Sequence, residues 1–173
     1  MKQQRLQQAR AYYQTLNEHD YQALDRLIGD SIISKEGEYV MEYSKAGFEV
    51  FLRWDAAFDP NYEILSLAIA DQTVVAEIKK TDTRLDFLLE GPSITKERLD
   101  FKDGKIRSVA IVTYLQFDDV VFSRNRKAFL DWMDAHHPEL DGFIIDQTET
   151  GAKNYLEAIR LFQAREKASG KED

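Results

Sequence analysis

The sequence predicts an α+β fold in which N-terminal helices pack inside a curved antiparallel sheet, with two more helices at the C-terminus. Three observations carry this. Before residue 58, apolar residues recur at spacings of three and four, the mark of helices with one buried face. From Tyr62 to Phe117 the chain is a series of strand-like runs joined by short, turn-forming connections. Beyond Phe117 the helical spacing returns. Short links make neighbouring strands antiparallel, and helices grouped ahead of a run of strands give α+β rather than alternating α/β. A sheet curved around its own helices encloses a pocket.

The elements follow in order. Leu6, Ala9, Tyr13 and Leu16 make residues 3 to 17 a helix with no Gly or Pro to interrupt it. Asn17 and Asp20 mark a break, and Asp20 is suited to accept from the free N–H groups of the next helix. That helix, residues 21 to 28, turns Leu24, Leu27 and Ile28 inward and ends at Gly29. Ser31 to Glu36 reads as a short strand, and Tyr39 to Tyr43 as a more ambiguous one. Ser44 caps a helix to about Phe58, with Phe48, Phe51, Leu52 and Ala56 as its stripe; Asp59-Pro60-Asn61 stops it. Tyr62 to Ala70, Thr73 to Thr81, Arg84 to Glu90, Ile94 to Lys102 and Lys105 to Phe117 read as strands. Ser123 to His136 is helical up to the break at Pro138. Thr148 or Thr150 caps a last helix carrying Tyr155, Leu156, Ile159 and Phe162, and its end, Lys167 to Asp173, is polar and frayed. The expected organisation is a cone domain over residues 1–117 and a helical extension over 118–173 packed on it.

Composition narrows the function classes. The 173 residues are 43% hydrophobic and 12% aromatic, enough for a substantial core. Cysteine is absent and only His19, His136 and His137 are present, so no thiolate nucleophile and no metal site is expected. Nothing in the sequence implies a cofactor. A formal net charge of −8 opposes nucleic-acid backbones and anionic membrane surfaces. The opening Met-Lys-Gln-Gln-Arg-Leu-Gln-Gln lacks the apolar centre of a signal peptide, and no apolar run approaches the ~20 residues of a membrane span. The expectation is a cytoplasmic protein.

Three segments carry a resemblance: Tyr12-Tyr-Gln-Thr-Leu-Asn-Glu-His-Asp20, Leu24 to Asp30, and Leu99-Asp-Phe-Lys-Asp-Gly-Lys-Ile106. An aromatic-containing first helix, a small-polar-Asp break and a final strand pair around Gly-Lys-Ile resemble the nuclear-transport-factor-2-like superfamily. That group includes the ketosteroid isomerases and the SnoaL-like polyketide cyclases. The resemblance spans roughly residues 5 to 117 and implies a cystatin-like cone. Residues 118–173 lie outside it.

Laid against a ketosteroid isomerase, three positions gain roles by resemblance. Tyr12 falls at the oxyanion-hole tyrosine, Glu36 at the proton-shuttling carboxylate, and Glu97 at the carboxylic acid that supports the oxyanion, kept neutral by an apolar site. The residues themselves support Glu97. Thr95, Glu97, Leu99 and Phe101 share one strand face, and Lys96, Arg98, Asp100 and Lys102 share the other. The charged face belongs in water, so Glu97 stands among apolar neighbours. Tyr13 fits the helix stripe as well as Tyr12 does, and the plainer reading of Glu36 is a solvated strand end. Trp54, Phe58, Tyr62, Leu99 and Tyr114 are the candidate pocket lining, with core packing as the alternative. The function expected is binding of a small, largely apolar molecule in the cone, with isomerase- or cyclase-type acid–base chemistry there. The alternative is a non-catalytic interaction module. Both sides of the last strand are largely apolar, so a homodimer through it is expected, with cover by residues 123 to 165 as the competitor.

Overall fold

The computed structural model describes residues 1–169. Helices α1 (Lys2–Glu18) and α2 (Tyr21–Leu27) lead into strands β1 (Ile28–Glu36) and β2 (Tyr39–Ser44) and helix α3 (Lys45–Ala56). Next come β3 (Asn61–Ala70), β4 (Thr73–Thr81), α4 (Thr83–Leu88), β5 (Ser93–Lys102) and β6 (Lys105–Gln116). Helix α5 (Asp119–His136), a 3-10 turn (Pro138–Leu140) and α6 (Glu149–Ser169) follow. The fraying expected from Lys167 onward lies, for residues 170–173, outside the described residues.

Local chemistry sets the boundaries. His19 closes α1 in the left-handed region at φ 55°, and the Asp20 carboxylate accepts from the Ala23 N–H to start α2. Ser44 caps α3 through the Gly47 N–H, Asp118 caps α5 through the N–H groups of Val120 and Val121, and the Thr148 hydroxyl accepts from the Gly151 N–H at the head of α6. Asp103 and Gly104 both take positive φ, the geometry of a tight hairpin turn between β5 and β6.

The sheet is curved and unclosed, in the order β2-β1-β6-β5-β4-β3. β3 to β6 form an antiparallel meander. One junction departs from it: β1 runs parallel to β6, pairing Ile33 with Ser108 and Glu36 with Ile111. Register breaks in the β3–β4 and β5–β6 ladders add local bend and twist.

One expected strand is a helix. Residues 84–90 fold not as a strand but as α4 with a short C-terminal turn. The alternation of Leu85, Phe87 and Leu89 suits a strand, yet Leu85, Leu88 and Leu89 also sit at helical spacing and are the buried set. Asp82 decides it, because its carboxylate accepts from the Leu85 N–H at 2.6 Å and caps the helix. Glu90 then takes φ 60° beyond the helix and accepts from Arg124 and Asn125 of α5.

Two apolar clusters result. The first joins α1, α2 and α3 to the inner sheet face through Tyr13, Leu16, Ile32, Phe48, Ile78, Leu99 and Ile106. The second joins Trp54, Phe58 and Leu88 to Phe129, Met133, Phe143, Tyr155 and Phe162. Helix α6 thus packs on α3, and α5 on α4.

Candidate functional site

A cavity of about 400 Å³ opens between the helices and the concave face of the sheet. Strand β5 supplies its central acid. Thr95, Glu97 and Leu99 are buried while Lys96 and Arg98 are exposed, and Thr95 and Glu97 border the cavity. The Tyr13 hydroxyl donates to Glu97 Oε2 at 2.6 Å, and the Thr95 hydroxyl donates to Oε1 at 2.9 Å. Burial raises the Glu97 pKa above the ordinary carboxyl value; the two hydrogen bonds and the Lys80 charge oppose that rise without cancelling it.

Tyr12 also borders the cavity, edge-on to Tyr13 at 5.1 Å between ring centroids. Among the described residues its hydroxyl has no hydrogen-bond partner. Burial, with the charges of Glu97 and Asp55, holds its phenol well above the usual tyrosine range, so it stays a donor. Tyr13 is raised for the same first reason and by its bond to Glu97. Glu36, at the end of β1, faces the cavity from its exposed rim and accepts from the Tyr114 hydroxyl. Burial, then that bond, raises the Tyr114 pKa.

A charged cluster forms one side. The carboxylate of Asp55 on α3 accepts from the Tyr62 hydroxyl and from Lys80 Nζ, each at 2.6 Å. Lys80 Nζ also stands 3.4 Å from Asp82 Oδ2, whose side chain is wholly buried. Lys80 lies 4.9 Å from the Tyr62 ring centroid. Arg84, the second residue of α4, reaches the same cavity with its Cζ 5.1 Å from the Trp54 ring centroid.

The structure therefore brings Tyr12, Glu36, Glu97, Tyr62 and Tyr114 to one cavity. It does not bring Trp54, Phe58 and Leu99, which are buried in the two apolar clusters and do not border it. Tyr13, Thr95, Asp55, Lys80 and Arg84 were not singled out from sequence. Asp55 had a signal: Phe48, Leu52 and Asp55 share one helical face, an acid on an apolar stripe. Tyr13 had one too, its place on the stripe with Ala9 and Leu16. Arg84 had none, because its segment read as a strand.

Solved structures share this architecture. A candidate ketosteroid isomerase from Kribbella flavida superposes with a TM-score of 0.55 at 15% identity, covering 68% of this chain and 82% of the other. A protein of unknown function from Burkholderia xenovorans, described as like nuclear transport factor 2, gives 0.52 at 14%, covering 65% and 83%. This chain has the nuclear-transport-factor-2-like fold. An uncharacterised cystatin-fold protein from Novosphingobium aromaticivorans gives 0.54 at 20%, covering 63% and 97%, and agrees with a cone. No family model matches the sequence, and neither does any curated protein. At these identities the likeness to nuclear-transport-factor-2-like proteins is one of fold, and a fold of this kind hosts many activities. Among the described residues no cluster of His, Asp and Glu has metal-binding geometry, and no helix is long and apolar enough to cross a membrane.

Proposed function

We propose that the cone binds a small, largely apolar molecule and places an oxygen of that molecule against Tyr12 and Glu97. The observation that carries this is a buried carboxyl of raised pKa and an unpartnered tyrosine hydroxyl that border the same cavity. With Glu97 protonated, as its raised pKa favours, its hydroxyl and that of Tyr12 would be two donors suited to a carbonyl oxygen and better suited to an enolate. Glu36 at the rim is the carboxylate available to take a proton from carbon; returning it to another carbon of the same molecule is an isomerisation, and attack of the enolate on a second carbonyl of that molecule, with the proton passing to the new alkoxide, is a cyclisation. Apolar walls from Ile33, Phe48, Phe51, Val109 and Ile111 favour an apolar body.

Two measurements test this. The neutral fluorophore N-phenyl-1-naphthylamine should bind wild-type protein and lose binding in Ile111→Trp, which fills the cavity; equal binding by both sinks the pocket reading. Conversion of a β,γ-unsaturated ketone to its conjugated isomer, followed by ultraviolet absorbance, should fall by about 10²–10³ in kcat for Tyr12→Phe or Glu97→Ala. Turnover indistinguishable from buffer leaves a binding protein without this chemistry.

A second reading has its own observation. Tyr39 on edge strand β2 is 83% exposed, and Val40, Met41, Val112 and Leu115 are exposed as well. The C-terminal helices pack on α3 and α4, so they leave this patch bare. A second copy of the chain would cover it. Sedimentation of a ~40 kDa species that Val112→Lys reduces to ~20 kDa supports the dimer, and a 20.1 kDa monomer at micromolar concentration removes it.

A further inference from the structure

The cavity contains a cation that the acid–base reading leaves unused. Among the described residues Arg84 has no carboxylate within ion-pair distance and no hydrogen bond, and its Nε is buried without a partner. Three other cations are paired. Lys80 is held by Asp55 and Asp82, Arg53 by Glu49, and Arg124 by Glu90. The Arg84 Cζ instead lies near two aromatic rings, 5.1 Å from the Trp54 centroid and 5.8 Å from that of Phe58. That contact holds the cation against π faces but supplies no acceptor to its N–H donors. The guanidinium is permanently charged, so burial cannot be relieved by losing its proton. A buried donor without a partner costs free energy until something accepts from it.

We propose that Arg84 is the recognition site for a carboxylate on the cavity's ligand, which is thus an apolar ring compound with one acidic group. This rests on the ligand-binding reading above and specifies its substrate class. A planar carboxylate matches the guanidinium fork with two parallel hydrogen bonds. A single negative charge also suits the surroundings better than a phosphate dianion, because Glu36 borders the same cavity and would repel the second charge. The chain's formal charge of −8 offers such an acid no general attraction, so a dedicated cation is needed. A volume of about 400 Å³ admits roughly two fused rings with short substituents.

The test is calorimetric titration with benzoate, 2-naphthoate and fluorene-9-carboxylate, each beside its primary amide. Wild-type protein should bind at least one acid roughly ten- to hundred-fold more tightly than its amide. Arg84→Met should remove that preference while amide binding persists, and Arg84→Lys should keep part of it. Arg84→Gln gives the same reading if the methionine variant does not fold. Equal affinity of acid and amide in the wild type, or a preference that survives both neutral variants, overturns the carboxylate site and leaves the pocket standing. Failure of every acid and every amide to bind overturns both.

Discussion

Lys80→Met should be among the most damaging single changes in the molecule. Lys80 Nζ stands 2.6 Å from Asp55 Oδ1 and 3.4 Å from Asp82 Oδ2, and both carboxylates are buried. At an effective dielectric of ~20, those separations give attractions of about 6 and about 5 kcal/mol. Desolvation cancels most of this in the intact cluster, so the net worth of the interaction is small. Methionine keeps the stem and removes the charge, leaving two buried acids that share, among the described residues, only the Tyr62 hydroxyl and the Leu85 N–H as donors. Breaking a buried pair in this way costs about 3–5 kcal/mol, a large part of a typical 5–15 kcal/mol stability. Urea unfolding measures it directly. Asp55→Asn in the Lys80→Met background should recover about 1–2 kcal/mol by removing one of the stranded charges. A loss under about 1 kcal/mol, with no recovery in the double variant, would refute the view that Lys80 holds these acids together.

Glu97→Gln should show a pH-dependent gain. The native carboxyl has a pKa above its ordinary value of 4.5, so the stability it contributes is complete below that value and is lost as pH rises through the native pKa. Each unit of elevation is worth about 1.4 kcal/mol, and the melting-temperature difference between variant and wild type should grow as pH rises above 4.5 and level off once the native carboxyl has ionised; a constant difference contradicts the assignment. Gly151→Ala should destabilise although alanine normally strengthens a helix, because its Cβ would lie 1.9 Å from the Asp146 carbonyl oxygen. The expected cost of about 1–3 kcal/mol is a drop of about 3–10 °C for a chain of this size, and an unchanged or higher melting temperature overturns the steric argument. We also propose the 1–117 and 118–173 division as a docked pair. Ending the chain after Phe117 strips the cover from Trp54, Phe58 and Leu88, so the melting temperature should fall by about 10 °C or more; an unmoved transition would show the extension to be independent.

The elements legible in the sequence were those whose period and end signals agreed. Asp20 and Ser44 announced helix starts, Asp103-Gly104 announced a hairpin, and the alternation along 93–102 placed Glu97 with Thr95 and Leu99. Residues 84–90 misled because a six-residue helix is too short for its period to outweigh an alternating pattern. That error hid Arg84, whose role depends on which element carries it. The choice between Tyr12 and Tyr13 was also beyond periodicity. Both are buried, and what separates them is that Tyr13 reaches Glu97 while Tyr12 reaches open space. For Trp54 and Phe58, pocket lining and core packing are both open at the level of helical spacing, and α6 decides for the core by packing on them.

The parallel seam between β1 and β6 also has a consequence in time. Ile33 meets Ser108 across about 75 intervening positions, whereas the hairpins β3–β4 and β5–β6 close over a few. At ~5–20 residues per second, synthesis separates the two halves of that seam by several seconds. During that interval β1 has no neighbour except β2, and the apolar side of α1 has no complete wall to rest on. Closing a loop of that length precedes any reward from the contacts it creates. The seam should therefore set the pace of folding, and substitutions there that are mild at equilibrium, such as Ile33→Val, should slow refolding more than they speed unfolding.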